Sequence, residues 1–582
     1  MLGTILARLI YEYNIHDMLQ DRTDSMESLR ARYEALTPRF YSLLILLFAA
    51  FMTRLLPLAI SQYPINNDSI TESLISTEIL NSGHLVSSSD PHWMWTRTGL
   101  TPVLNVILAF FAGLLGTTPI ACAQVFGAGM AVTTIGGVYL LGRLVTGSER
   151  GAITAAFMAL MFGTFVFTTG SIWKEMMGLS LLIVALFAYL RRDSIEFRAL
   201  MFLLLLIIPF VHHLVAAVTF LAFANLLVWS LFFAFSRGTL TRTNLLDLAT
   251  ISIPGAAAAI FYSSVGFDSV IQMSSATDLP TIVAGFIGMS VLSIVILSTR
   301  RHAKWSFAPL VGVGLGTLIL LDYSGYVFHY STSATRAYVL LGLSTAFVAA
   351  LAWFGSEVIL ETRPRYRAFQ LALLLSPLTI LGFGAIQGTT LNGLKIIYRS
   401  FDFLDLFIFL GAAAAMVEIH SRRKNLYEIV GAFMIISLAV SFPFSYASQS
   451  LLGVRHDTQG YELDALEWMG DQPKAESIIS DERICYLARS VIGVSKGSSL
   501  PQYIATNTSV PYYLWFYIME DSWTTIGVNN YPHGELVVNL SYYERMTEAA
   551  DVFYLGGPAS DNLVVFMTSP IGSNTIYGPP HG

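Results

Sequence analysis

The amino-acid sequence predicts an α-helical protein that crosses a membrane many times and carries a small α/β domain at its C-terminal end. Composition is the first reason: 54% of the 582 residues are hydrophobic and 12% are charged, which is typical of integral membrane proteins rather than of soluble domains in series. Spacing is the second reason, because the apolar residues form long runs that short charged clusters separate.

The apolar runs predict about 13 transmembrane helices, since a helix needs about 20 mostly apolar residues to cross the hydrocarbon core. The first run follows a charged segment that does not resemble a cleavable signal peptide, so we expect this run to be retained as an anchor. The predicted spans lie near residues 41–62, 120–141, 151–168, 174–190, 199–213, 215–236, 245–265, 281–299, 306–323, 335–354, 368–386, 402–419 and 426–446.

The basic residues indicate the orientation of these spans. Short clusters of arginine and lysine fall on one side only, and by the positive-inside rule that side is cytoplasmic. The clusters are Arg30/Arg32/Arg39, Arg143/Arg150, Arg191/Arg192/Arg198, Arg237/Arg242, Arg300/Arg301/Lys304, Arg363/Arg365/Arg367 and Arg422/Arg423/Lys424. The apolar run Thr101–Gly116 is short, and counting it as a span would reverse this alternation, so we expect an interfacial helix there.

This orientation predicts a multi-pass protein of the cell membrane with three regions. Residues 1–40 form a cytoplasmic segment, and residues 41–446 form the transmembrane region with a large first outer loop at 63–119. Residues 447–582 form an outside domain, which carries 15 acidic and 6 basic residues. This domain has a helix-like stretch at 461–469 and β-like runs at 476–479, 551–554 and 563–567, which together predict an α/β module.

Nucleic acid is not an expected partner of this chain. The net charge is −6, and no stripe of lysine and arginine interleaved with aromatic residues occurs. Membrane lipids are the expected surroundings of most of the chain instead.

Polar residues at the outer ends of the spans are the candidate functional positions, because ionisable groups at membrane depth are costly. Asp68 lies just beyond the first span, and Glu72 follows one helical turn later. Asp68 is also placed to cap a helix that runs from Ile70 to Leu80, and the two roles are compatible. Further along the same loop come His84 and His92, the latter among tryptophans that are typical of a membrane interface.

Three more outer positions carry polar groups. Lys174-Glu175 follows a very short loop and sits where headgroup anchoring is the alternative to a functional role. His212-His213 occupies a membrane turn, where neutral imidazole can bind a metal or a phosphate-bearing headgroup. Arg336 and Arg399 are lone arginines at outer span ends, where a guanidinium either grips a lipid phosphate or anchors the helix in the headgroup layer.

Short motifs in this order carry a family resemblance. They are Arg54-Leu55-Leu56-Pro57 followed by Asn67-Asp68 and Ile79-Leu80-Asn81-Ser82-Gly83-His84, then Gly137 to Arg143 with Gly147, then Lys174-Glu175, His212-His213 and Tyr398-Arg399-Ser400. With the span order and the outside C-terminal domain, the chain resembles the GT-C class of membrane glycosyltransferases. Among them it is most similar to single-sugar transferases of the archaeal or bacterial dolichol-phosphate-mannose type, which are related to protein O-mannosyltransferases and aminoarabinose transferases.

The resemblance implies a role for each outer position. Asp68 would be the catalytic base, and Glu175 would bind a divalent metal (Mg²⁺ or Mn²⁺) or the acceptor, together with His212 and His213. The implied contacts to the donor phosphate are Arg399, Arg336 and Lys174, and the implied first-loop substrate contacts are Asn67, His84 and His92.

The implied reaction is an inverting transfer of a sugar from a polyprenyl (dolichyl) phosphate donor to a hydroxyl of a glycan, lipid or protein at the outer face. The chain departs from relatives at two points. It lacks the Trp-Trp-Asp-Tyr-Gly motif of oligosaccharyltransferases, and it has Asp68-Ser69 where protein O-mannosyltransferases have Asp-Glu. A secondary transporter and an O-antigen ligase-like enzyme of lipid-linked polymers remain the alternatives.

Overall fold

The structure is a computed structural model. It describes residues 26–59, 61–85, 101–265, 278–298, 336–386, 391–446, 458, 460–471, 477–480, 482–492, 496–499, 512–519, 525–526, 536–537, 551–556 and 561–567. The predicted span 306–323 lies outside these residues.

Long apolar helices dominate the N-terminal part of the described chain. They are α1 (Met26–Leu55), α2 (Asn67–Ser82), α3 (Val103–Leu115), α4 (Pro119–Thr146), α5 (Glu149–Met161), α6 (Gly163–Gly170), α7 (Lys174–Leu190), α8 (Ile195–Ile207), α9 (His213–Ser236), α10 (Arg242–Val265) and α11 (Asp278–Ser298). Short 3-10 turns extend α1 at Leu56–Ala59 and α8 at Ile208–Phe210.

The helices continue to the end of the transmembrane region. They are α12 (Arg336–Thr362), α13 (Arg367–Ile386), α14 (Leu391–Arg422) and α15 (Lys424–Ser441), with 3-10 turns at Pro364–Tyr366 and Phe442–Tyr446. Within the described ranges, 8 helices are long and apolar enough to cross a membrane, or up to 9 if the bent pair α5 and α6 forms one span. The chain is therefore a helical polytopic membrane protein.

The helix α3 occupies the run for which an interfacial helix was predicted. Its 13 residues extend for about 20 Å, too short to cross the hydrocarbon core. One face, with Leu104 and Leu108, is fully buried, whereas Phe110 and Leu114 on the other face are 71% and 72% exposed. The exposed face is therefore apolar, which suits contact with lipid, and the interfacial position of the helix stays a prediction.

A close helix crossing positions α14 against α12. A Cβ atom at Gly355 of α12 would overlap the backbone carbonyl of Gly411 of α14. Small neighbours complete the contact, because Ala352 and Ala415 are fully buried beside the glycines. Small residues at such crossings let two helix backbones approach closely. In a membrane the hydrophobic effect does not drive helices together, so the van der Waals contacts of this close approach supply the packing energy.

The basic loops converge at one end of the helix bundle. Arg363 donates from Nη2 to the carbonyl oxygen of Thr146 at 2.7 Å. Asp247 joins two helices there, since its carboxylate lies 2.8 Å from Arg192 Nε and 2.6 Å from Arg198 Nη1. These contacts tie four basic loops to the same end of the bundle, which the positive-inside rule predicts to be the cytoplasmic end.

The tail domain contains helices and strands. Its elements are α16 (Gly460–Asp471), β1 (Ser477–Ser480), α17 (Glu482–Val491), β2 (Lys496–Ser499), β3 (Tyr512–Met519), β4 (Thr525–Ile526), β5 (Leu536–Val537), β6 (Asp551–Gly556) and β7 (Asp561–Met567). The strand β1 pairs in parallel with β2 and β3, whereas β7 pairs antiparallel with β3 and β6. The three β-like runs of the sequence lie at β1, β6 and β7.

The tail domain docks on the first outer loop. Ile70 of α2 is fully buried in a cluster with Leu466 of α16 and Leu487 of α17. The hydroxyls of Thr71 and Ser490 are 2.9 Å apart across the same contact. The first loop and the tail domain therefore lie at the same end of the bundle.

Candidate functional site

A broken span supports the site. The helices α5 and α6 meet at Phe162 with a bend of 70°. Gly163 permits this break, since a Cβ atom there would overlap the backbone oxygen of Ser441. The amide of Gly163 instead donates to Ser441 Oγ at 2.7 Å, so the first turn of α6 is bonded to α15 rather than to α5.

Arg54 bridges the break from the first span. Its guanidinium is fully buried and donates to the carbonyl oxygens of Ala159 and Leu160 at 3.0 Å and 2.9 Å. Those carbonyls lie in the last turn of α5, where the break removes the next helical donors. The same guanidinium donates to Thr169 Oγ1 in α6 at 2.9 Å and 3.1 Å. Arg54 therefore satisfies the polar groups of both halves of the broken span.

Asp68 begins the outer cluster on α2. The predicted capping role of Asp68 is wrong, because Asn66 is the N-cap and accepts from the Asp68 amide at 3.3 Å. Asn66 has a φ of 78°, a region that costs about 1–3 kcal/mol for a residue other than glycine. Asp68 instead lies in the first turn, where the helix dipole favours a negative charge. Its half-buried carboxylate is not used for capping.

Glu72 and Lys174 link α2 to α7. Lys174 Nζ lies 3.8 Å from Glu72 Oε1 and donates to Thr101 Oγ1 at 2.9 Å. Asn105 Nδ2 donates to the other oxygen of Glu72 at 2.7 Å. Burial raises the pKa of Glu72, and the Lys174 charge opposes this rise. The negative charge of Asp68 acts on both residues.

Arg399 joins α14 to the same cluster. Its Nε lies 3.7 Å from Glu175 Oε2, a charge contact that is longer than a hydrogen bond. Its Cζ lies 6.0 Å from the centre of the Trp173 ring, at the outer limit for a cation–π contact. Trp173 is held in place because its indole donates to the carbonyl oxygen of Thr168 at 2.8 Å.

His212 lies at the edge of this cluster, in the turn between α8 and α9. Its Nδ1 accepts from the amide of Val215 at 3.4 Å, which leaves Nε2 as the protonated nitrogen of a neutral ring. Burial lowers the pKa of His212 well below its ordinary range, and the charges of His213, Arg399 and Lys174 act in the same direction. The two histidine rings stack with their centres 4.6 Å apart.

Two buried acids of α14 were not predicted from the sequence. Asp402 and Asp405 lie one and two turns below Arg399 and are 1% and 2% exposed. Asp405 accepts from Thr164 Oγ1 at 3.3 Å, so it sits at the first turn of α6, where a carboxylate is favoured. The spacing Arg399-x-x-Asp402-x-x-Asp405 places the three on one helix face. Because the rest of the run is mostly apolar, this spacing could have identified Asp402 and Asp405 as candidate residues from the sequence.

The other predicted site residues lie elsewhere or cannot be described. His84 is exposed and follows α2, about 20 Å along the helix from Asp68, so it does not join the cluster. His92 lies outside the described residues. Asn67 begins α2 and Arg336 begins α12, but their side chains lie outside the described part of the chain.

The donor set of the cluster does not build a metal cage. Across the part of the chain that the structure describes, no group of three His, Cys, Asp or Glu side chains is placed to hold a metal ion. His212 and His213 stack on each other rather than converge on one point. The proposed mechanism therefore uses neither Mg²⁺ nor Mn²⁺ in a catalytic step.

Comparison with known proteins assigns no family to the chain. No protein-family model matches it, and no curated protein gives a significant match. The cluster itself is therefore the basis for a proposed function. In it, cations from α7 and α14 lie near carboxylates from α2, α7 and α14 at one end of the helix bundle.

Arg54→Met is expected to destabilise the protein, because it leaves at least the Ala159 and Leu160 carbonyls in need of new donors. Each buried polar group left unsatisfied costs about 1–3 kcal/mol. We expect a fall of at least several degrees in the melting temperature of the purified protein in detergent, followed by tryptophan fluorescence.

Arg422→Met is the matched control, since Arg422 is exposed and pairs only within its own helix with Glu418. Its melting temperature should stay close to that of the wild type. Equal melting temperatures for Arg54→Met and the wild type would show that the broken span does not depend on Arg54.

Proposed function

We propose that this protein transfers a sugar from a polyprenyl (dolichyl) phosphate donor to a hydroxyl acceptor at the outer face of the membrane. One observation carries the proposal: the charges of Asp68, Lys174, Glu175 and Arg399, from three separate helices, act on one another at one end of the bundle. A GT-C-like fold with about 13 spans belongs to the same proposal, since the length of the apolar runs supports it.

Asp68 is the proposed general base. Its carboxylate is half-buried, lies at a helix N-terminus and is not used as a cap. The acceptor oxygen attacks the anomeric carbon, and its proton passes to Asp68. The bond between the anomeric carbon and the phosphate oxygen breaks, and the lipid phosphate leaves with the electron pair. A single displacement of this kind inverts the anomeric centre.

Cations at the rim stabilise the departing phosphate in this proposal. Arg399 offers a planar guanidinium that suits phosphate oxygens, and its present contact to Glu175 is a loose one of 3.7 Å. Lys174 adds a second positive charge, held by Thr101 and Glu72. The Nε2 of His212 can donate a hydrogen bond without adding charge. Preorganised donors and cations of this kind are most effective where water is excluded.

The acceptor is proposed to be a hydroxyl of a glycan, a lipid or a protein. The tail domain packs on α2, the helix that carries Asp68. An acceptor that binds to the tail domain would therefore approach the proposed base from the side away from the lipid. Asn67, the residue before Asp68 at the start of α2, is the proposed acceptor contact alongside Asp68.

A secondary transporter is the second candidate, and one observation favours it. A span broken at Phe162 next to the membrane acid Asp405 is a feature that transporters use to bind ions. Asp405, however, is hydrogen-bonded to Thr164 at the start of α6, which gives it a structural role. The remaining charged groups of the cluster lie at or near helix starts that the sequence predicts to face outside, rather than in the middle of predicted spans, and this supports transfer over transport.

Asp68→Asn is expected to abolish sugar transfer while leaving donor binding nearly unchanged. Loss of a general base typically lowers the rate by about 100- to 10,000-fold. The measurement uses the purified protein in lipid nanodiscs with a polyprenyl-phosphate hexose and membranes from the source cells as acceptors. Transfer is followed by mass spectrometry of the released polyprenyl phosphate.

Glu78→Gln is the control, because Glu78 is exposed on the same helix. It should transfer sugar at the wild-type rate. Wild-type turnover by Asp68→Asn would remove Asp68 from the mechanism.

Arg399→Ala is expected to weaken donor binding about tenfold or more, since a hydrogen bond to a charged group contributes about 1.5–3 kcal/mol. Binding of sugar-free polyprenyl phosphate to the nanodisc-embedded protein measures this loss. Arg399→Lys should restore part of the affinity, because it keeps the charge but not the planar fork. An unchanged affinity in Arg399→Ala would exclude a contact between Arg399 and the phosphate.

A further inference from the structure

Two buried carboxylates at the outer rim have no hydrogen-bond partner among the described residues. Asp402 on α14 and Glu175 on α7 are each 1% exposed, and both oxygens of each carboxyl group lack a partner there. The two groups are close enough for their charges to act on each other. Buried polar groups in folded proteins are nearly always hydrogen-bonded, so this pair requires an explanation.

The neighbouring acid Asp405 differs from the pair in this respect. Asp405 lies one turn deeper on the same helix and is equally buried, yet it accepts a hydrogen bond from Thr164. Arg399 neutralises only part of the negative charge of the Asp402/Glu175 pair, because its contact is with Glu175, at 3.7 Å through Nε. Leaving an acceptor unsatisfied in such a place is costly, and a ligand with suitable donors would recover this cost.

The surroundings of the pair define the chemistry of that ligand. A carboxylate accepts hydrogen bonds and a protonated carboxyl group also donates one, so the ligand must present groups that can do both, as hydroxyl groups can. The Arg399 guanidinium lies 3.7 Å from Glu175 and 6.0 Å from the centre of the Trp173 ring. The hydroxyl of Thr168 faces Asp402 but is itself buried without a well-formed hydrogen bond. The carboxyl groups of Asp402 and Glu175, the Thr168 hydroxyl and the Trp173 ring together fit the vicinal hydroxyl groups of a sugar.

We infer that Asp402 and Glu175 form the subsite that receives the sugar hydroxyls of the lipid-linked donor, and that this sugar is a neutral hexose rather than a hexuronic acid. The inference rests on the proposed function and names its substrate class. A hexuronate would bring a further acid beside Asp402, Glu175 and Asp405, with Arg399 as the cation that acts on the pair. Like charges in a poorly solvated site repel strongly.

The test compares three synthetic lipids with the full-length protein in nanodiscs: phytanyl-phosphate mannose, phytanyl-phosphate glucuronate and sugar-free phytanyl phosphate. The wild type is expected to prefer the mannose lipid over the glucuronate lipid. Asp402→Asn should weaken binding of the mannose lipid about tenfold, the value of one charged hydrogen bond. Its affinity for sugar-free phytanyl phosphate should stay within twofold of the wild type, and its preference against glucuronate should shrink.

Glu418→Gln is the matched control, since it neutralises an acid about 24 Å away along the same helix, where Glu418 pairs with Arg422, and it should keep the wild-type preference. If Asp402→Asn does not fold, as judged by its melting temperature, Glu175→Gln takes its place with the same expected results.

Two results overturn the inference: equal losses for the mannose lipid and the sugar-free lipid, or no loss for either. If the wild type binds none of the three lipids, the proposed function itself is contradicted. That outcome is distinct from the two results that overturn only the sugar subsite.

Discussion

The hydrogen bonds of the buried Arg54 guanidinium are the interaction on which the end of the molecule with the candidate site depends. A 70° break in a membrane span leaves backbone groups without helical partners, and such groups are costly where no water is available. Arg54 supplies donors to both halves of the break. Gln124 reinforces the arrangement, because its side chain donates to the backbone oxygens of Arg54 and Gly170 at 2.6 Å and 2.8 Å. The position of α6 follows from these bonds.

Once α6 is fixed, the site follows from short connections. Only Ser171, Ile172 and Trp173 separate α6 from α7, so Lys174 and Glu175 are held at the rim. The start of α6 receives Asp405, which aligns α14 and brings Arg399 and Asp402 to the same rim. The break in the span therefore has a positive role: it allows two helices to present charged groups at one depth.

Among the described residues, the closest ion pairs lie at the end of the bundle opposite the candidate site. At the end with the basic loops, Asp247 forms close ion pairs with Arg192 and Arg198. At the other end the contacts of Lys174 with Glu72 and of Arg399 with Glu175 are longer, at 3.8 Å and 3.7 Å. Tight pairs of the first kind hold helices together, whereas loose pairs can exchange one partner for a ligand.

Much of the helical architecture could be predicted from the sequence, because span length and basic clusters obey simple physical rules. Most predicted spans coincide with helices, and the run of α3 is short as expected. The break at Phe162 was not predicted, since it depends on distant contacts of Gly163 with Ser441 and of Arg54 with α5. The residues on both sides of the break are mostly apolar, so composition does not reveal where the helix bends.

The site was predictable where a polar residue stands beside a span end, as Asp68, Lys174 and Arg399 do. Two local interpretations failed. The helix start was assigned to Asp68, although Asn66 with its positive φ is the cap. Asp402 was overlooked because a single acid in an apolar run is interpreted as part of the span, and its role depends on Glu175 from another helix.

Mass spectrometry of glycans and glycolipids from cells that lack the gene tests the central claim most directly. The account predicts that one sugar disappears from an outer-face glycan, lipid or protein, and that polyprenyl-phosphate hexose accumulates. Re-expression of the wild-type protein should reverse both changes. Unchanged glycans and glycolipids in the deletion strain, with no accumulation of a lipid-phosphate sugar, would contradict the claim.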